Sequence, residues 1–199
     1  VGFGGAGVVY ALTHVFATYR YYAGNERVRF VDVALPWRWG NYEVARGDAY
    51  VRAASQCVEQ RKFAEAIPLA RRGVERSPAN LGGRLMLAEL YLGLRQPDQA
   101  RRVLLDGLPY HCADPVFLQP LLAFLAQRQE DPVIVGLARK FLGRGSRGSE
   151  ADRLLAQAAA TASYLRGNYD QAEDFLQRAP TLATSAAGRL LSAKIEFDR

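Results

Sequence analysis

A few groups of residues in this 199-residue chain are of the types that chemistry uses. Gly2, Gly4 and Gly7, in the run GFGGAG, satisfy the spacing G-x-G-x-x-G. That spacing cradles a pyrophosphate only where a strand feeds a helix inside a β-α-β unit. No strand pattern precedes it and no β-α-β unit follows, so a flexible or membrane-embedded glycine cluster is the reading adopted. His14 and His111 are the two histidines, and Cys57 and Cys112 lie far apart with no C-x-x-C pair. A metal site needs three or four convergent ligands, which this inventory does not supply, so neither metal nor other cofactor is expected. A Walker lysine motif, H-E-x-x-H and G-x-S-x-G are all missing from the sequence. No catalytic residue is nominated, and the chain is expected to be no enzyme. Glu65, Asp98, Asp170 and Glu173 fall near the starts of expected helices, where negative charge complements the helix dipole.

The elements that position side chains follow from self-similarity. FAEAIPLARRGVERSP, Phe63 to Pro78, superposes on PDQARRVLLDGLPYHC, Pro97 to Cys112, at a shift of 34 residues. Ala54 then meets Ala88, Arg61 meets Arg95, Ala66 meets Ala100 and Gly73 meets Gly107. Ala100, Val103, Leu104, Gly107 and Leu108 recur at the spacing of one buried helix face. Leu85 to Leu92 is a second helix, and Arg95 to Asp98 is the turn, so each unit is a helix hairpin. Small residues let paired helices approach closely, and Pro78 stops its helix because it has no N–H to donate. The same grammar returns in GNYDQAEDFLQRAP, Gly167 to Pro180. Ala100 and Ala172 are 72 residues apart, two periods plus four, and the Gly143–Ser149 loop is expected to absorb the surplus. The expected helix pairs are 41–60 with 64–76, 82–94 with 98–109, 116–128 with 132–142, and 150–165 with 170–179. A last helix, near 185–197, covers the open end or begins another unit.

These residues resemble the tetratricopeptide repeat family over about residues 41–180: a small residue in the first helix, a Gly or aromatic turn, an Ala opening the second helix, a closing Pro, and the 34-residue period. The Trp and Leu-Gly of that family's first helices are missing; Tyr50 and Arg84 stand where the Trp would be. The resemblance implies an all-α fold, a helix-hairpin solenoid or superhelix, in which first helices line a concave groove and second helices form the outer surface. The groove would carry Val51, Ser55 and Val58, then Leu85, Glu89 and Leu92, then Gln119 and Ala123, then Gln157, Thr161 and Tyr164. Chaperone-binding members grip a terminal carboxylate with Lys and Asn on these faces. Here the matching faces carry neither, so no such clamp is expected.

Val1 to Tyr19 holds no charged residue, and at about 1.5 Å per residue it nearly spans the ~30 Å of a bilayer core. Tyr19, Arg20, Tyr21 and Tyr22 follow as an aromatic and basic belt. Residues 1–22 are therefore read as an uncleaved, single-pass transmembrane helix, with a helix buried against the repeats as the alternative. Residues 23–40, with Phe30, Trp37 and Trp39 among arginines, are a juxtamembrane linker or a cap on the first repeat. Residues 41–199 form the repeat domain.

The net charge of +6 is carried by 26 basic residues, of which only Lys62, Lys140 and Lys194 are lysine. An excess this modest is weak evidence for nucleic acid, which is not the expected partner. Arg71-Arg72, Arg101-Arg102 and Arg139-Lys140 fall on second helices and read as a solvated outer face. The sequence thus describes a membrane-anchored, non-catalytic scaffold that binds a protein or peptide, with no small-molecule substrate. The alternative is an accessory repeat segment of a larger enzyme or of a secretion or assembly machine.

Overall fold

A computed structural model describes residues 3–22, 39–142 and 149–199 of the protein, and among the described residues the regular structure is helical throughout. In chain order the helices are α1 (Phe3–Tyr22), α2 (Trp39–Glu59), α3 (Phe63–Arg76), α4 (Leu81–Gly93), α5 (Pro97–Leu105), α6 (Leu108–His111), α7 (Pro115–Gln127), α8 (Asp131–Phe141), α9 (Glu150–Leu165), α10 (Tyr169–Arg178), α11 (Pro180–Ala183) and α12 (Ala186–Asp198). The expected pairs are present with ends shifted by a few residues. One differs: the helix expected over 98–109 stops at Leu105 and a single turn, α6, follows. Pro109 cannot donate the bond that would continue α5 through Leu105. The linker or cap between 23 and 38, and the surplus loop between 143 and 148, lie outside the described residues.

Local chemistry repeats with the sequence. Arg61, Arg95 and Gln129, 34 residues apart, and Gly167, a further 38 on, all have positive φ, between 56° and 72°. At each, the next residue's N–H returns to the last turn of the first helix: Lys62 to Cys57, Gln96 to Tyr91, Glu130 to Leu125 and Asn168 to Ser163, at 2.8–2.9 Å. A left-handed residue closing a helix in this way satisfies otherwise orphaned carbonyls. The starts of first helices are capped as regularly. Asn80, Asp114, Ser149 and Ser185 each accept a backbone N–H from the first turn of the following helix.

The chain divides into two compact units, residues 1–107 and 108–199. In the first, α2 and α3 approach most closely at two glycines. A Cβ on Gly47 would lie 2.6 Å from the Ser77 nitrogen and 2.8 Å from the Gly73 carbonyl oxygen. Asp48 holds the connection that follows, accepting from Ser77 Oγ at 2.8 Å and Asn80 Nδ2 at 2.7 Å. Arg84, buried at the place of the missing Trp, donates to the Val103 and Pro78 carbonyls, each at 2.8 Å. Its stem fills apolar space while its head finds backbone acceptors, which is what burying a guanidinium requires.

The expectation that the first segment crosses a membrane is not supported. α1 has 20 residues, enough for length, yet no helix among the described residues is long and apolar enough to cross a membrane. His14, four tyrosines and Arg20 fall within α1 and lower its hydropathy. Val8, Val9, Tyr10, Leu12, Val15 and Phe16 on it are each more than half exposed.

In the second unit the core is carried by Phe117, Leu118, Leu121, Leu125, Ile134, Leu155, Phe175, Leu182 and Ile195. α9 packs on α7, α8 and α10, and α12 closes against α9, α10 and α11. The end of α12 is tied down by Arg199 pairing with Asp170 and Glu173.

Candidate partner-binding notches

Packing of α9 beside α7 leaves an open notch of about 270 Å³ on the first-helix face of the second unit. From α7 come Gln119, Leu122, Ala123 and Ala126; from α8, Asp131 and Ile134; from α9, Leu154, Gln157, Ala158, Thr161, Ala162 and Leu165. The hairpin turn places Asp131 at its rim, since α8 begins there. Small side chains on both walls hold it open. Arg153 donates to Gln157 Oε1 at 3.4 Å and to Glu150 at 2.8 Å. The hydrogen bond from Arg153 holds the Glu150 carboxyl below its usual range.

A second notch, of about 310 Å³, lies in the first unit between α2 and α4, lined by Val58, Phe63, Met86, Glu89, Leu90, Gly93 and Leu94. The two notches are the same place in the repeat. Val58 and Phe63 recur two periods later as Ala126 and Asp131, 68 residues on. Met86, Glu89, Leu90 and Gly93 recur as Ala158, Thr161, Ala162 and Leu165, 72 residues on, across the longer loop. Equivalent positions therefore build equivalent surfaces in both units, with Val58, Met86 and Leu90 of the first replaced by Ala126, Ala158 and Ala162 in the second.

Of the residues expected to line a groove, Gln119, Ala123, Gln157 and Thr161 come together in the second notch, and Val58 and Glu89 in the first. Ser55, Leu85 and Leu92 line neither, although Leu92 is exposed. Val51 is a packing residue: a Cβ on Gly73 or Gly83 would fall 2.6 or 2.5 Å from its Cγ2. Tyr164 donates its hydroxyl to Asp198 of α12 and lies 6.0 Å, ring to ring, from Tyr169. That hydrogen bond raises the phenol's pKa. On α9 the notch wall runs through 154, 157, 158, 161, 162 and 165, so it includes the expected Gln157 and Thr161 and leaves out Tyr164. A 72-residue shift carries Leu85, Glu89 and Leu92 onto Gln157, Thr161 and Tyr164, so the period alone does not find Ala158, Ala162 and Leu165.

The outer arginines are not uniform. Arg71 donates through Nε and Nη2 to the hydroxyl of buried Tyr91, at 3.2 and 3.0 Å. Neither histidine is isolated: His14 lies edge-on to Tyr10 at 4.3 Å, and His111 is buried 5.2 Å from the Phe117 ring.

Residues 58–116, which include the whole of the first notch, match the Tetratricopeptide repeat family. That match takes in under a third of the chain, from the end of α2 to the start of α7. Two solved structures share the fold. One, described as a functional characterization of Pseudomonas aeruginosa pilF, aligns with a TM-score of 0.52 at 13% identity, covering 78% of this chain and 70% of that one. The other, the MamA protein, aligns at 0.50 and 12% identity, covering 76% of this chain and 87% of that one. No curated protein matches the sequence. At these identities the likeness is one of fold, and the account of the notches rests on this chain's own residues.

Proposed function

We propose that this tetratricopeptide repeat protein is a non-catalytic scaffold that holds a protein or peptide partner against its first-helix face. The observation that carries the reading is the recurrence of one inter-helix notch at equivalent positions of both units. Each notch is apolar with a few polar groups, the composition that anchors side chains of a partner segment. At about 270 and 310 Å³ they sit near or below the lower end of small-molecule sites, and suit one or two side chains. The single-pass anchor expected from the sequence is no part of this reading, because no helix among the described residues is long and apolar enough to cross a membrane.

The test compares three forms of the full-length protein as bait in cells that make it. One is unaltered, one has both notches filled by Gly93→Trp and Ala126→Trp, and one carries Arg72→Ala and Arg102→Ala on second helices. All four positions are exposed, and circular dichroism checks that each form is folded. Loss of a partner only in the filled form supports the reading. Loss only in the arginine form moves the surface to the second helices.

A further inference from the structure

We propose that each notch selects an aliphatic side chain flanked by a cationic one, so that the partner is a protein segment pairing Leu, Ile or Val with Lys or Arg. This rests on the scaffold reading above and names the chemistry of its partner. The chain is basic, with 26 Lys and Arg against 20 Asp and Glu. The notches run against that balance. Each is lined by a single carboxylate, Asp131 in the second unit and Glu89 in the first, and neither lining contains a lysine or arginine. The two carboxylates do not occupy equivalent repeat positions. Asp131 stands where the first notch has Phe63, and Glu89 where the second has Thr161. Each notch has therefore acquired its one negative group at a different point of the same framework. The charge is a property of the notch, not of the repeat.

Arg153, bonded to Gln157 beside the second notch, is held by Glu150 at 2.8 Å. A partner carboxylate entering here would be repelled by Asp131 beside Ala126, Ala158 and Ala162. A partner lysine or arginine would instead meet an anion while its stem covers apolar surface.

Three fluorescein-labelled 12-residue peptides test this with the full chain. Each carries the same leucines at helical spacing, and they differ only in their flanking residues, which are Arg, Gln or Glu. Fluorescence anisotropy should rank them Arg over Gln over Glu, with about fivefold between neighbours in 0.1 M salt and a smaller gap in 0.5 M. The variant Glu89→Gln/Asp131→Asn should equalise the Arg and Gln peptides while leaving leucine-dependent binding in place. The filled variant Gly93→Trp/Ala126→Trp should weaken all three. Equal binding of the three peptides, weakened by filling, overturns the charge inference and keeps the scaffold reading. Binding that ignores filling, or no binding of any peptide, overturns both.

Discussion

Arg71 of α3 donates two hydrogen bonds to one acceptor, the hydroxyl of Tyr91 on α4, and so ties adjacent repeats together from the outer side. Arg72, its neighbour in sequence, is exposed, and no hydrogen bond or ion pair of its side chain is seen among the described residues. Replacing Arg71 by Ala should cost about 1 kcal/mol of unfolding free energy, the net worth of such a bond to a buried group. Replacing Arg72 should change stability by less than about 0.5 kcal/mol. Urea titrations followed by circular dichroism measure both. Equal effects would mean that the Arg71–Tyr91 contact contributes nothing.

The four turn positions give a second prediction. Arg61, Arg95 and Gln129 are exposed non-glycine residues with φ near 57°, while Gly167 fills the fourth such position. Side chains at such φ are strained, and glycine is not. Arg95→Gly and Gln129→Gly should each raise stability by about 0.5–1 kcal/mol, and Gly167→Ala should lower it by about 1 kcal/mol. A lowered melting temperature for the two glycine variants would show that these arginine and glutamine side chains hold the turns.

Close helix contacts give a third. Ala66 and Ala100, one period apart, have 0% exposure. Leucine at either site should destabilise its unit by about 1–3 kcal/mol, because the added isobutyl group has no space to enter. Gly47→Ala should act in the same direction, since its Cβ would overlap the Ser77 backbone. Unchanged melting temperatures would place these residues on the surface.

The bond between Tyr164 and Asp198 makes a titration prediction. Tyr164 should ionise above the usual tyrosine range because its hydroxyl donates to the Asp198 carboxylate, and Asp198→Asn should lower its midpoint. The folded pKa is the raised one. The bond's contribution is therefore present below the unfolded pKa and is lost as pH climbs through the folded value. Ring-labelled tyrosine NMR reads the midpoint directly. An unchanged midpoint in the Asn variant would mean that α12 is not fastened through this pair.

Periodicity made the hairpins legible, because a 34-residue spacing of Ala, Gly and turn residues reports the same backbone event each time. Ala54, Ala66, Ala88, Ala100 and Ala172 all prove buried. The first segment misled because a charge-free run suggested a membrane span, whereas a span also needs mean hydropathy that His14 and the tyrosine-rich end of α1 do not allow. The lining of the two notches was half legible. Gln119, Ala123 and Thr161, placed by the helical period, fall in a notch lining, whereas Val51 packs into the space left by Gly73 and Gly83. Asp131 went unseen because it belongs to a second helix, and its first turn reaches the notch rim only once the hairpin is folded.

The claim that the notches are the binding face is tested most directly by site-specific photocrosslinking in the full-length protein in its native cells. A photoreactive phenylalanine replaces Ala123 or Gln157 in the second notch, or Arg102 or Arg139 on second helices. All four variants are irradiated side by side. The account predicts one discrete protein adduct, the same from Ala123 and Gln157, and none from Arg102 or Arg139. Adducts from the arginine positions alone, with the notch positions silent, would contradict it.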